Sequence, residues 1–212
     1  MRQLSTIILV IFIFFSYCLP SYSAYKGEIT YSIPIEYKNL SESELKDKAE
    51  KYFYLALKTP EGELSEDVTN ALVAYSVLQH LNTENIEYFV RVGILYDRIN
   101  KDRQAKGNFS RAIGINPSAA EPYFYFGEFY YKRGQYRQAL KYYNRAFENL
   151  KSPNHDLYYK LGDVYEKLGD TKKALECLNM AKAQSPNDKL DAKIRLIEAI
   201  DESNKTYYRG KF

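Results

Sequence analysis

The side chains with the readiest chemistry in this 212-residue sequence are two histidines, His80 and His155, and two cysteines, Cys18 and Cys177. A metal site needs such ligands gathered with carboxylates at short, regular spacing. Here they are scattered, and Cys18 falls inside an apolar leader. Neither histidine has a Ser or Cys beside it in a nucleophile turn, and no G-x-x-x-x-G-K-[ST] loop is present to cradle a phosphate. The paired carboxylates Glu61 and Glu63 sit in a loop with Pro60 and Gly62, where general acid–base work has no enclosed cleft. The chain therefore reads as a non-enzyme that uses no cofactor and no metal. Cys177 reads as a packed side chain in mid-helix. His155 reads as a polar residue at a helix start, where Asp156 is favoured by the helix dipole.

What recurs instead is a pattern of small and aromatic residues. In the stretch from Ala120 to Pro153, Tyr123, Phe126, Gly127 and Tyr130 share one helical face, and Ala139, Tyr143 and Ala146 share another. Two amphipathic helices joined at Gly134 make a helical hairpin. The same pattern returns at a fixed period: Gly93, Gly127 and Gly162 are 34 and 35 residues apart, followed by Ala105, Ala139 and Ala174, then Phe109, Tyr143 and Leu178, then Ala112, Ala146 and Ala181. One hairpin cannot bury both of its faces, so a repeat of this length predicts a solenoid.

These positions resemble the tetratricopeptide repeat (TPR) family, whose signature runs aromatic, Leu-Gly, Tyr, Ala, aromatic, Ala and a closing Pro. The aromatics are Phe89, Tyr123 and Tyr158. The Leu-Gly pairs read Val92-Gly93, Phe126-Gly127 and Leu161-Gly162, and the tyrosines are Tyr96, Tyr130 and Tyr165. Pro117, Pro153 and Pro186 punctuate. The resemblance implies an all-α, right-handed TPR solenoid of antiparallel helix hairpins with a C-terminal capping helix. It also implies a concave groove lined by the first helix of each repeat, through side chains pointing away from the glycine seam: Glu87, Val90, Ile94, Asp97, Glu121, Phe124, Glu128, Tyr131, Tyr159, Asp163 and Glu166. The second helices carry many of the bases, among them Arg103, Lys106, Arg111, Arg137, Lys141, Arg145, Lys172 and Lys173. A chain that is positive overall thus presents an acidic, aromatic groove, suited to a protein or peptide segment that is basic and apolar. The chaperone-binding branch of the family grips a carboxylate with basic and amide side chains in this groove. Val90, Ile94, Tyr125 and Asp156 stand at the corresponding places, with only Lys160 basic, so that ligand is not expected.

Composition fits this reading, with 45% hydrophobic and 27% charged residues and a net charge of +3. That balance carries no nucleic-acid signature, and no nucleic-acid partner is expected. The 22 tyrosines stand beside no tryptophan; the repeat signature takes Tyr96, Tyr123, Tyr130, Tyr143, Tyr158 and Tyr165, and a tyrosine excess also suits a binding face, because the ring offers apolar area and a hydrogen-bonding tip. Residues 1–23 have a basic start at Arg2, an apolar run from Ile7 to Phe15, and Ser21 and Ser23 after Pro20, the pattern of a signal peptide cleaved before Ala24. The chain is therefore expected to be exported, to a periplasmic or extracytoplasmic site, with a membrane contact only if the leader is retained. Residues 24–40 read as an extended arm, because Pro34 interrupts the alternation of Ile29, Tyr31, Ile33 and Ile35. Residues 41–85 read as a divergent first helix pair with a lengthened loop, 86–186 as three repeats, 187–204 as the capping helix and 205–212 as a tail. In function this is a non-catalytic protein–protein adaptor or assembly factor, or alternatively a membrane-tethered structural subunit that oligomerises in an envelope complex.

Overall fold

The computed structural model describes Tyr37 and residues 39–209. The leader expected over 1–23 and nearly all of the arm expected over 24–40 lie outside these residues. Within them the chain is all-α: α1 (Glu42–Ala56), α2 (Glu66–Leu81), α3 (Ile86–Arg98), α4 (Asp102–Ile115), α5 (Ala120–Lys132), α6 (Tyr136–Asn149), α7 (His155–Lys167), α8 (Thr171–Gln184) and α9 (Asp188–Arg209). Each odd helix pairs with the even one after it, and each even helix packs on the next odd one, so four hairpins stack in sequence and α9 closes the row.

Helix starts follow local chemistry. At α1 the Ser41 hydroxyl accepts the Glu44 amide while Glu44 accepts the Ser41 amide at 2.8 Å, a reciprocal capping box. This hydrogen bonding holds the Glu44 carboxyl below its ordinary value. Asn85, Asn154 and Asn187 each accept an amide of the following turn, which fixes where α3, α7 and α9 begin. Each of the three tight inter-helix turns carries one residue with positive φ, namely Asn100 (58°), Gly134 (69°) and Gly169 (80°). Asparagine is the residue that best tolerates this region after glycine, so the first of these turns keeps the same geometry.

The seam inside each hairpin depends on a missing Cβ. A methyl group at Gly93 would lie 2.6 Å from the Phe109 ring, one at Gly127 2.5 Å from the Tyr143 ring, and one at Gly162 2.6 Å from Leu178. Phe109, Tyr143 and Leu178 are themselves fully buried, flanked by the buried pairs Ala105 and Ala112, Ala139 and Ala146, Ala174 and Ala181. In the first hairpin Ala49 takes the glycine's place, in a core shared with Phe53, Tyr75 and Tyr88. Its long loop is tied down by Arg98, which donates to the carbonyls of Ala56 (2.9 Å) and Thr59, while the Gly62 amide donates to the Arg98 carbonyl at 2.7 Å.

Two features differ from the sequence expectation. Helix α9 runs through Arg209, so the stretch read as a tail begins as helix. Its inner side buries Leu190, Ile194 and Ile197 against Leu178 and Ala181, as a cap should. Its outer side is not the polar surface that usually ends a repeat array, for Leu196 is 60% exposed and Ile200 48%.

The seam predicts opposite outcomes for one substitution at two glycines. Gly127→Ala should destabilise by about 1–3 kcal/mol, because displacing a buried ring outweighs the helix-propensity gain of about 1 kcal/mol. Gly107, inside α4, has nothing within 4 Å of its would-be Cβ; Gly107→Ala should therefore stabilise by about 0.5–1 kcal/mol. Urea unfolding of the two variants checks both signs.

Candidate functional site

The odd helices supply the proposed groove, and the structure places its side chains unequally. Val90 is fully buried, and Asp97 and Asp163 are nearly so. Glu87, Ile94, Phe124, Glu128, Tyr131, Tyr159 and Glu166 are half-buried, and Glu121 is exposed.

Most of the acids are already matched by cations of neighbouring helices. Lys46 of α1 reaches Glu87 of α3 at 2.8 Å. Asp97 accepts from Lys132 at 3.2 Å and from Arg133 at 2.6 Å, and Arg133 also holds Asp102 at 2.6 Å. Lys160 of α7 meets Glu128 of α5 at 2.8 Å, where the buried Tyr143 hydroxyl donates to the same carboxylate. Lys193 of α9 spans Asp163 at 2.7 Å and Glu166 at 2.5 Å. The hydrogen bond that Lys46 donates to Glu87 raises its ammonium above the ordinary value. Burial alone would lower Lys132 and Lys193, yet their carboxylate partners outweigh it and both are raised. Burial, followed by the Glu128 charge, pushes the Tyr143 phenol up.

The same lysines cover aromatic rings. Lys160 lies 5.4 Å from the centre of the Tyr131 ring and Lys193 5.8 Å from that of Tyr159, distances at which a ring face attracts a cation. Acid, ring and cation thus form a repeated unit across successive helices. Sequence reasoning named the acids and missed their partners. The readable signal was Lys160 and Lys193, each six residues after a capping asparagine, Asn154 and Asn187.

One part of the groove lacks such a partner. Between the start of α5, the end of α6 and the start of α7 lies a cleft of about 270 Å³, walled by Phe124, Tyr125 and Leu150 and bordered by Glu121, Asn154 and Asp156. Asn154 is engaged as the α7 cap. Glu121 and Asp156 form no ion pair among the described residues. Although Glu121 is exposed as a residue, the packed cleft atoms around its carboxyl partly desolvate it and raise it, opposed by the charge of Arg91.

The remaining reactive types are structural. The His155 Nδ1–H donates to the Ala181 carbonyl at 2.9 Å and its ring stacks on Tyr159, joining α7 to the end of α8. Burial pushes the Cys177 thiol up to about 11, which leaves it unreactive at neutral pH. No group of three His, Cys, Asp or Glu side chains among the described residues could hold a metal ion.

Residues 118–185 match the tetratricopeptide repeat family model. No protein of curated function matches the sequence. Among solved structures, a MamA protein superposes with a TM-score of 0.58 at 20% identity, covering 79% of this chain and 88% of that one. MamA from Desulfovibrio magneticus RS-1 gives 0.57 at 18% identity over 77% and 90%. YrrB, described as a TPR protein with an unusual peptide-binding site, gives 0.52 at 27% identity over 58% and 62%.

The expectation of export to a periplasmic or extracytoplasmic site is corrected and not carried forward, since the structures that share the fold over most of the chain are MamA proteins. No helix among the described residues is long and apolar enough to cross a membrane. Residues 118–185 carry tetratricopeptide repeats by sequence, and the described chain folds as a TPR-like solenoid of helix hairpins.

Proposed function

We propose that this chain is a non-catalytic structural scaffold that assembles with further copies of itself, using α9 as one side of the contact and the concave groove as the other. The observation that carries this reading is the outer side of α9. Counting from the capping asparagines Asn154 and Asn187, Leu196 stands in the register of Asp163, and Ile200 in that of Lys167. At the equivalent edge inside the stack, Asp163 is paired with a lysine of the next helix. The last helix replaces that polar edge with two exposed aliphatic side chains, the composition of a surface that meets another protein.

A helix with an apolar stripe suits a groove lined by half-buried Tyr131, Tyr159 and Phe124, in the helix-in-groove manner. Internal pairing leaves the groove less acidic than its residue types suggest, so apolar contact contributes most of the affinity and charge mainly sets orientation.

Light scattering over a concentration series should show self-association of the full chain. Fully burying an aliphatic side chain contributes about 1.5–3 kcal/mol. The double variant Leu196→Lys, Ile200→Lys should therefore weaken association by about 100-fold or more while leaving the helical circular dichroism intact. A chain that stays monomeric at every concentration, or association indifferent to the double variant, would show the reading to be wrong.

A further inference from the structure

The cleft beside Glu121 and Asp156 has an internal precedent. Counted from the residues that precede α1, α3 and α5, namely Ser41, Asn85 and Ala119, the side chains of Lys46, Val90 and Phe124 occupy corresponding positions. At the first interface this position supplies a lysine to the acid of the next odd helix, Lys46 to Glu87 at 2.8 Å. At the next two interfaces the acids in the place of Glu87 are Glu121 and Asp156, while the residues in the place of Lys46 are valine and phenylalanine. The carboxylates are retained without a lysine in that register, and Arg91, whose charge reaches Glu121, forms its ion pair with Glu87 instead.

We propose, building on the self-assembly reading above, that this cleft receives a lysine or arginine from residues 205–212 of a second copy. The cleft's volume of about 270 Å³ suits one long side chain, with the aliphatic stem against Phe124, Tyr125 and Leu150 and the cationic head at Glu121 and Asp156. Each helix start also contributes about half a positive charge; two such starts offset about one of the two carboxylate charges, leaving the cleft negative. The stretch KTYYRGKF at 205–212 holds Lys205, Arg209 and Lys211, no acid, and aromatic side chains between them. It leads directly from the α9 stripe that bears Leu196 and Ile200.

The direction of α9 leads away from the cleft of its own copy. Lys193 lies level with Asp163 and Glu166 of α7, and α9 continues to Arg209. At 1.5 Å per residue, Arg209 is about 24 Å further along α9 than Lys193. The cleft lies at the start of α7, and Lys211 is only two residues beyond Arg209. The contact is therefore between copies.

The experiment titrates the full chain into a fluorescein-labelled KTYYRGKF peptide and follows anisotropy. Saturable binding is expected, weakened about ten-fold or more by the combined variant Glu121→Gln, Asp156→Asn and to a similar extent when the peptide is made QTYYQGQF, which leaves the folded chain untouched. The full chain with Glu148→Gln, an exposed acid on α6 paired with Arg145, should bind the peptide normally. No saturable binding, or equal binding by the cleft variant or by the uncharged peptide, would overturn the cleft assignment. Light scattering separates the two readings. Self-association that survives Lys205→Glu, Arg209→Glu, Lys211→Glu but not the Leu196/Ile200 variant would remove the cleft and keep the scaffold. A strictly monomeric chain would remove the scaffold, with the peptide titration still deciding the cleft.

Discussion

Each hairpin of the stack depends on one close approach, the ring or branched side chain of the second helix lying where a Cβ on the first would be. Gly93, Gly127 and Gly162 allow Phe109, Tyr143 and Leu178 to settle directly on backbone. Interiors are close-packed, so this contact sets the distance and angle between the two helices. The hairpin so formed still has an uncovered side, and only the next hairpin can bury it. Stacking is thus a consequence of the seam, and the lateral contacts between odd helices are a consequence of stacking.

Those lateral contacts decide where charge is available. A half-buried acid facing a neighbouring helix would be costly alone, because desolvation penalises its charged form. Lys132, Lys160 and Lys193 meet that need for Asp97, Glu128 and the pair Asp163 and Glu166. The raised Lys132 and Lys193 show attraction exceeding desolvation at both places. Removing one member of such a pair would leave its partner stranded, which is worse than never having had the pair. Much of the acidity expected of the groove is consequently part of the fold's own cohesion. Its aromatic rings are likewise covered by the lysines that do this pairing.

The hairpins were legible in the sequence because their signal is one-dimensional: a glycine, a ring and two alanines at fixed spacing describe a contact made within about 20 residues. The helix starts rest on equally local contacts, Ser41 and the asparagines acting over a single turn, although the asparagine caps were recognised only in the structure. Pairing between repeats was not, since Lys160 meets Glu128 only once two hairpins are stacked in register. A set of acids on one helical face therefore overstated the charge the groove presents. The end of α9 was misjudged because basic and aromatic residues with a glycine suggest a loose tail, whereas the helix persists to Arg209. The outward direction of Leu196 and Ile200 also required the structure, for both lie among apolar residues that a capping helix would be expected to turn inward.

An array that ends in an apolar edge faces a problem of specificity. Aliphatic contact is non-directional, and a stripe such as Leu196 and Ile200 could adhere to any exposed apolar surface, including Leu64, Leu81 or Met180 of another copy. Charge can choose among these sites at little cost in affinity, because it acts on approach and orientation more than on the bound state. A basic stretch just beyond the stripe gives α9 a polarity along its length. An unmatched pair of acids gives the concave side one matching position, while the basic second helices repel the same stretch. Contact between the end of one copy and the groove of the next uses two different surfaces, and such heterologous contacts close into rings or continue as filaments. The curvature set by the glycine seams then bears on which of these forms, so packing within one hairpin and the shape of the assembly are linked.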